Sequence, residues 1–186
     1  MTETIRLKYL QGIIPKVELD FIRSQLGELG IGFECNDISG DPQASLEEFL
    51  APIILYLSSD IVQAYLLGLA TSTSYDIIKA TVLSIWRHIS GKKFKKITLT
   101  DVEELDANFD LDVNTTGRTR VKFKLKGNIP DSLKEKCVDK AFQLLESKAF
   151  PEIRTGYVCL YNVDRDGWEI FEDIEFVKKY VKPKDG

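Results

Sequence analysis

The sequence has little of the residues from which many enzymes build a nucleophile or a metal centre. Histidine occurs once, as His88, and the three cysteines, Cys35, Cys137 and Cys159, are far apart and form no CxxC pair. A single histidine excludes every Ser-His-Asp or Cys-His device that does not use His88. The usual zinc modules are excluded as well, because their ligands come in close pairs. We therefore expect reduced thiols, a cytoplasmic location, and no catalytic residue, cofactor or resident metal.

Glycine motifs that bind phosphate are also missing. Gly27-x-x-Gly30-x-Gly32 has the wrong order for the dinucleotide fingerprint and follows a helical pattern instead of a strand. The beginning, MTETIRLKYL, has no basic stretch followed by an apolar one, so no signal peptide is expected. Hydrophobic residues make up 44% of the chain, enough for a substantial core in one domain spanning residues 1–186.

The charge is distributed unevenly along the chain. Residues 1–90 carry 6 Lys and Arg against 11 Asp and Glu, a net charge of −5. Residues 91–186 carry 19 against 18, a net charge of +1, which gives −4 in total. A general nucleic-acid-binding protein usually has a basic excess, so this balance argues against that class.

Hydrophobic periodicity predicts an α+β fold. Alternation at residues 4–10 and 31–35 predicts strands, with a helix between them that starts at Pro15 and stops at Gly30. Residues 91–186 read as a hairpin–helix–hairpin half with strands at 108–114, 118–126, 157–163 and 168–171, and helices at 131–148 and 174–180. We expect a mixed sheet of about five to seven strands with a βαβ start, an apolar helical hairpin insertion and a C-terminal β-hairpin.

The apolar segment 46–90 is the most conspicuous feature, and it is interpreted as the helical hairpin. Its first helix, 52–70, would be about 28 Å long, close to the thickness of a hydrocarbon core. The alternatives are burial in the protein's own core, self-association or a protein partner, and membrane contact. An aspartate in mid-membrane costs roughly 3 kcal/mol, so Asp60 argues against a span. The candidate interaction residues on this segment are Tyr56, Asp60, Tyr65 and Trp86.

A basic stripe is predicted on one face of the second strand of the 108–126 hairpin. With a three-residue loop at 115–117, we expect Asp112 to face Arg120, Asp110 to face Lys122 and Phe109 to face Phe123. Three interpretations stay open: an ordinary charged sheet face, a site for an acidic protein partner, and a nucleic-acid interface. The stripe consists of Arg118, Arg120, Lys122, Lys124 and Lys126.

Two acidic segments could suggest metal chemistry. The segment 162–167, NVDRDG, resembles the first half of a calcium loop, with Asp164 and Asp166 as candidate ligands, but Asp-Gly between alternating hydrophobic residues favours a hairpin turn. The acidic run 101–112 is interpreted as a loop followed by a solvated hairpin face. An enzyme with carboxylate chemistry would require converging acids in a cleft, and it is kept as an alternative.

The order of these pieces resembles that of small effector-associated domains of bacterial conflict and defence systems. The residues that carry the resemblance are 74–79 (SYDIIK), 83–87 (LSIWR) and the basic strand with its hairpin, within residues 4–126. The resemblance implies an adaptor-like, non-catalytic role, and it transfers no functional residue. We therefore predict a protein–protein interaction or adaptor module in bacterial defence or toxin–immunity, with a nucleic-acid-associated protein and a carboxylate enzyme as alternatives.

Overall fold

The computed structural model describes residues 3–10, 12–39, 53–66, 72–97, 102–115, 119–126, 129–147, 149–150 and 156–180. These residues form an α+β fold. The strands are β1 (Thr4–Tyr9), β2 (Gly32–Asp37), β3 (Ile53–Leu57), β4 (Lys93–Ile97), β5 (Val102–Asp106), β6 (Phe109–Asn114), β7 (Arg120–Leu125), β8 (Gly156–Asn162) and β9 (Gly167–Glu172). The helices are α1 (Lys16–Glu28), α2 (Ser59–Leu66), α3 (Ser72–Ile89), α4 (Asp131–Glu146) and α5 (Asp173–Tyr180).

Seven strands form one mixed sheet in the order β2-β1-β3-β6-β7-β8-β9, and β4 and β5 form a separate pair. The pairs β1/β2, β3/β6 and β7/β8 are parallel, and the other neighbours in the sheet are antiparallel. The predicted α+β class, the mixed sheet, the βαβ start and the C-terminal β-hairpin are confirmed.

The large sheet has one apolar face and one polar face. Leu7, Leu55, Leu111, Phe123 and Cys159 lie side by side across five strands, and all are fully buried. Helices α1, α3 and α4 contribute to the same continuous core as this row. Because successive side chains of a strand point to opposite faces, the residues between them lie on the other face, which holds most of the charged groups discussed below.

The prediction of one helix over 52–70 is wrong, because Ile53–Leu57 is strand β3. It lies between β1 and β6 in the middle of the sheet, and four of its five side chains are buried. A short apolar run buried on both faces has no alternation and cannot be distinguished from a helix by its pattern. Residues 46–52, the first part of the predicted hairpin segment, lie outside the described residues.

Two helices follow β3, as expected for the rest of the 46–90 segment. Helix α3 buries an apolar stripe at helical spacing, formed by Ile78, Val82, Ile85, Trp86 and Ile89. Gly91, at a φ of 74°, follows the helix end. None of the helices in the described ranges is long and apolar enough to cross a membrane.

The β6–β7 hairpin has the predicted faces but a different register. Asp112 pairs with Lys122, Asp110 with Lys124 and Phe109 with Leu125, two positions from the predicted partners. The reason is a longer connection. Asn114 is paired with Arg120, and the N–H of Thr115 donates to the carbonyl of Thr119 at 2.9 Å. A shift of two residues keeps every side chain on its predicted face, because the period of a strand is two.

The prediction of a loop for the acidic segment after residue 101 is wrong. Val102–Asp106 is strand β5, and it pairs antiparallel with β4. In this register Lys93 lies opposite Asp106 and Lys95 opposite Glu104, and Lys93 Nζ is 3.2 Å from Glu104 Oε2. Opposite charges across an antiparallel pair stabilise it, which explains why two highly charged segments form strands.

Candidate functional site

The basic stripe of β7 is not an open cationic surface. Lys122 is buried, and the side chain of Lys124 is only 18% exposed. Arg120 Nε lies 2.9 and 2.8 Å from the two carboxylate oxygens of Asp112. Lys126 is exposed beyond the end of the strand, and Arg118 lies outside the described residues. A phosphate backbone needs accessible cations, and the buried part of this stripe does not offer them.

The carboxylates opposite the stripe are buried, so the predicted solvated face is wrong for Asp110 and Asp112, which are both 2% exposed. Asp110 Oδ2 is 3.0 Å from Lys124 Nζ. Burial raises the pKa of the Asp110 carboxyl above its ordinary 3.8, and Lys124 beside it lowers the pKa by less. This is an internal ion-pair network, because each carboxylate has a basic partner on the neighbouring strand.

The candidate residues of the apolar segment lie in different environments. Trp86 is 1% exposed, and its Nε1 donates to the main-chain oxygen of Lys126 at 3.1 Å, so it is a core residue and not part of an interaction surface. Tyr56 is half-buried on the polar face of the sheet, and Asp60 is exposed in the first turn of α2. Tyr65 lies in α2, and its side chain is outside the described part of the chain.

His88 and the cysteines are held in structural positions. Nδ1 of His88 is 2.9 Å from the carbonyl oxygen of Ser84, one helical turn earlier. Burial raises the pKa of the Cys137 thiol to about 11 and that of Cys159 to about 12, which disfavours the nucleophilic thiolate. Within the described ranges, no three His, Cys, Asp or Glu side chains come together as a metal site.

Asp166, the second of the two calcium candidates, is committed to other partners. Its carboxylate pairs with Lys136 and, at 2.9 Å, with Lys140, and it accepts a 2.5 Å hydrogen bond from the hydroxyl of Tyr161. These three donors hold the pKa of Asp166 well below its usual range. Its φ of 48° belongs to the turn between β8 and β9, as the Asp-Gly signal predicts, and Asp164 is exposed in that turn.

We expect the free energy of unfolding of Asp166→Asn to decrease less than that of the wild type as the pH falls. A carboxyl whose pKa is depressed in the folded state contributes stability above its unfolded pKa, near 3.8, and that contribution is lost as the pH falls. Urea unfolding of the wild type and Asp166→Asn between about pH 2 and pH 6 measures the difference. Asp164→Asn, in the same turn but exposed, is the control, and an equal change in both variants would contradict the assignment.

A groove with a mostly apolar lining lies between α1 and α3. Its volume is about 360 Å³, within the range of small binding pockets. The two walls are linked where the hydroxyl of Ser84 donates to the carboxylate of Glu18. The charged side chains among its described lining residues are Glu18 and Asp76, both acidic. The apolar part of the lining comes from Phe21, Ile22, Ile77 and Ala80.

Two large apolar side chains of α1 are exposed, and one of them lines this groove. Phe21 lines it and is 59% exposed, and Val17, one turn earlier, is 75% exposed. They lie on the side of α1 that faces away from its buried stripe of Leu19, Ile22 and Leu26. The sequence analysis missed this surface, although the spacing of four residues between Val17 and Phe21 was a signal that could have indicated it.

Comparison with models of known protein families, with curated proteins and with solved structures finds no match for this chain.

Proposed function

We propose that the protein is a non-enzymatic interaction module that binds a helical segment of a partner protein in the groove between α1 and α3. The observation that carries the proposal is the exposure of Phe21 in the lining of an apolar groove of about 360 Å³, with Val17 exposed one turn earlier on the same helix. Single exposed hydrophobic side chains are common on protein surfaces. A pair of them one helical turn apart, next to a groove lined by further apolar side chains, is typical of a docking surface.

The shape of the groove supports a helix as the occupant. Helix α1 lines the groove over residues 18–25, about 12 Å of helix, and α3 lines it over residues 73–84, about 18 Å. An amphipathic helix that binds such a groove presents apolar anchors at spacings of three, four and seven residues. Phe21 would contact the central anchors, because large aromatic side chains contribute most to binding.

Charge supports a partner whose helix is basic on its flanks. The charged residues among the described groove lining are Glu18 and Asp76, and residues 1–90 carry a net charge of −5. A field of one sign accelerates the approach of an oppositely charged partner and disfavours partners of like charge. The proposed occupant therefore combines leucine-like anchors with flanking lysine or arginine.

The wall formed by α3 belongs to the 46–90 segment, so the site lies partly on the segment predicted to interact. The adaptor role is part of this proposal. The setting in bacterial defence or toxin–immunity stays a prediction of the family resemblance. A cytoplasmic location is also proposed, supported by the three free cysteines, of which Cys137 and Cys159 are buried. A nucleic-acid role is less well supported, because the lysines in the middle of the basic strand are buried.

Binding of a labelled helical peptide tests the proposal. We expect a fluorescein-labelled peptide of about 14 residues, with leucines on one face and lysines elsewhere, to bind in the micromolar range by fluorescence anisotropy. Phe21→Asp should weaken binding at least about tenfold, because it removes the central contact and adds a charge to the apolar lining. Ile174→Asp changes an equally exposed apolar residue on α5, which is 66% exposed, and should leave the affinity unchanged.

Equal affinity of the Phe21→Asp variant and the wild type for the peptide would contradict binding in this groove. A glutamate version of the peptide that binds as tightly as the lysine version would contradict the basic partner. Light scattering distinguishes the remaining alternative: a concentration-dependent dimer that Phe21→Asp abolishes would mean that the occupant is a second copy of this chain.

A further inference from the structure

A second cavity, of about 380 Å³, opens on the polar face of the sheet, the face opposite the row that packs against α1 and α3. It lies over β1, β2, β3 and β6, where Arg6 is paired with Glu34 and Tyr56, and Tyr56 with Asp112. Its lining residues come from four strands that are distant in the sequence. The order of the strands in the sheet therefore forms the cavity, and no single sequence motif contains its lining.

The lining of this cavity is rich in groups that bind anions. It holds two cations, Arg6 and Lys8, together with side-chain amides and hydroxyls. The described residues that line it include no carboxylate. The polar groups that bear on the proposal are those of Thr4, Arg6, Lys8, Asn36, Tyr56 and Asn114.

Two carboxylates next to lining residues in the sheet register, those of Glu34 and Asp112, have basic partners. Glu34 lies 3.4 Å from Arg6, but the two side chains are 69% and 71% exposed. Such an exposed pair contributes less than about 1 kcal/mol, so a ligand can take the place of Glu34. Asp112, beside Tyr56 in the register, is bound by Arg120 through both carboxylate oxygens.

We propose that this cavity binds a small phosphorylated molecule that also carries hydroxyl groups. The guanidinium of Arg6 matches two oxygens of a phosphate, and Lys8 adds a second positive charge on the same strand and face. The amides of Asn36 and Asn114 and the hydroxyl of Tyr56 can donate to or accept from ligand hydroxyls, because these groups act in both ways. This site is separate from the proposed protein-binding groove, and the two proposals are tested independently.

Isothermal titration calorimetry with ribose 5-phosphate, citrate and ribose tests this site. We expect ribose 5-phosphate to bind and to weaken as the salt concentration rises, because the contact is ionic. Arg6→Ala and Lys8→Ala should each weaken binding at least about tenfold. Glu34→Ala should strengthen it, since Arg6 loses its competing carboxylate. Arg23→Ala, an exposed arginine of α1 that pairs with Asp20, is the matched control and should change nothing.

Several results would overturn the proposal. Binding of citrate without ribose 5-phosphate would assign the site to carboxylates. Equal affinity for ribose and ribose 5-phosphate would mean that the site does not recognise the phosphate group. If neither Arg6→Ala nor Lys8→Ala changes the affinity, the ligand does not bind in this cavity. If none of the three compounds produces heat, the proposed site does not exist. Because Arg6 is mostly exposed, Arg6→Ala should fold normally. Urea unfolding with the same midpoint as the wild type would verify this.

Discussion

Replacing Trp86 with alanine is expected to lower the free energy of unfolding by about 4 kcal/mol, the largest effect of any substitution considered for this protein. Trp86 is the largest of the fully buried side chains and is 1% exposed. Removal of the indole leaves a cavity between α3 and its neighbours, and it also leaves the main-chain oxygen of Lys126 without the Nε1 donor at 3.1 Å. Urea unfolding monitored by far-UV circular dichroism measures the loss.

Trp86→Phe separates the two contributions. It retains most of the apolar volume but lacks the N–H donor, so a smaller loss, of about 1 to 2 kcal/mol, is expected. If Trp86→Ala costs less than about 1 kcal/mol, the residue is not part of the core, and the assignment of Trp86 to an interaction surface would regain support.

Asp110→Ala is expected to destabilise the protein by about 3 kcal/mol, because it leaves the ammonium of Lys124 in a mostly buried position without its carboxylate. The pair is separated by 3.0 Å, with Asp110 2% exposed and the lysine side chain 18% exposed. The Asp110→Leu/Lys124→Met double variant removes both charges together and should recover most of the loss. Glu34→Ala breaks the exposed pair with Arg6 and is the control, with an expected loss below about 1 kcal/mol.

The pH dependence of stability at Asp110 has a defined sign, which the Asp110→Asn variant tests. Because the pKa of Asp110 is raised in the folded state, the folded protein holds this proton more tightly than the unfolded chain does. Its contribution to stability is therefore greatest below the unfolded value, near 3.8, and declines as the pH rises through the folded pKa. As the pH rises over that window, the free energy of unfolding of the wild type should therefore fall relative to that of Asp110→Asn. An opposite slope would mean that Lys124 outweighs burial.

Much of the fold could be predicted because local patterns and tertiary structure agree. Alternation identified β1, β6 and β7, and helical spacing identified α1, α3 and α4. The exceptions were β5, which was predicted to be a loop, and β3, whose five residues are apolar apart from the hydroxyl of Tyr56 and show no alternation. Its assignment depends on β1 and β6 on either side of it, and that information is not local.

The candidate sites were harder to predict than the fold. The charges of β6 and β7 look like a solvated face in the sequence, because burial of Asp110 and Asp112 depends on what covers the sheet and not on the strand itself. The cavity beside Tyr56 draws its lining from four strands, so no spacing in the sequence could indicate it. The stripe of Val17 and Phe21 was visible as a spacing, but only the packing of α1 distinguishes it from the core stripe.

The position at which a basic helical peptide binds tests the central claim most directly. Titration of the ¹⁵N-labelled protein with the leucine–lysine peptide, followed by amide chemical shifts, locates the contact without any substitution. The proposed function predicts the largest shifts in residues 17–25 of α1 and 73–84 of α3, with the amides of β8 and β9 unchanged. Shifts that are largest on the sheet or on α5, or no shift at saturating peptide, would contradict it.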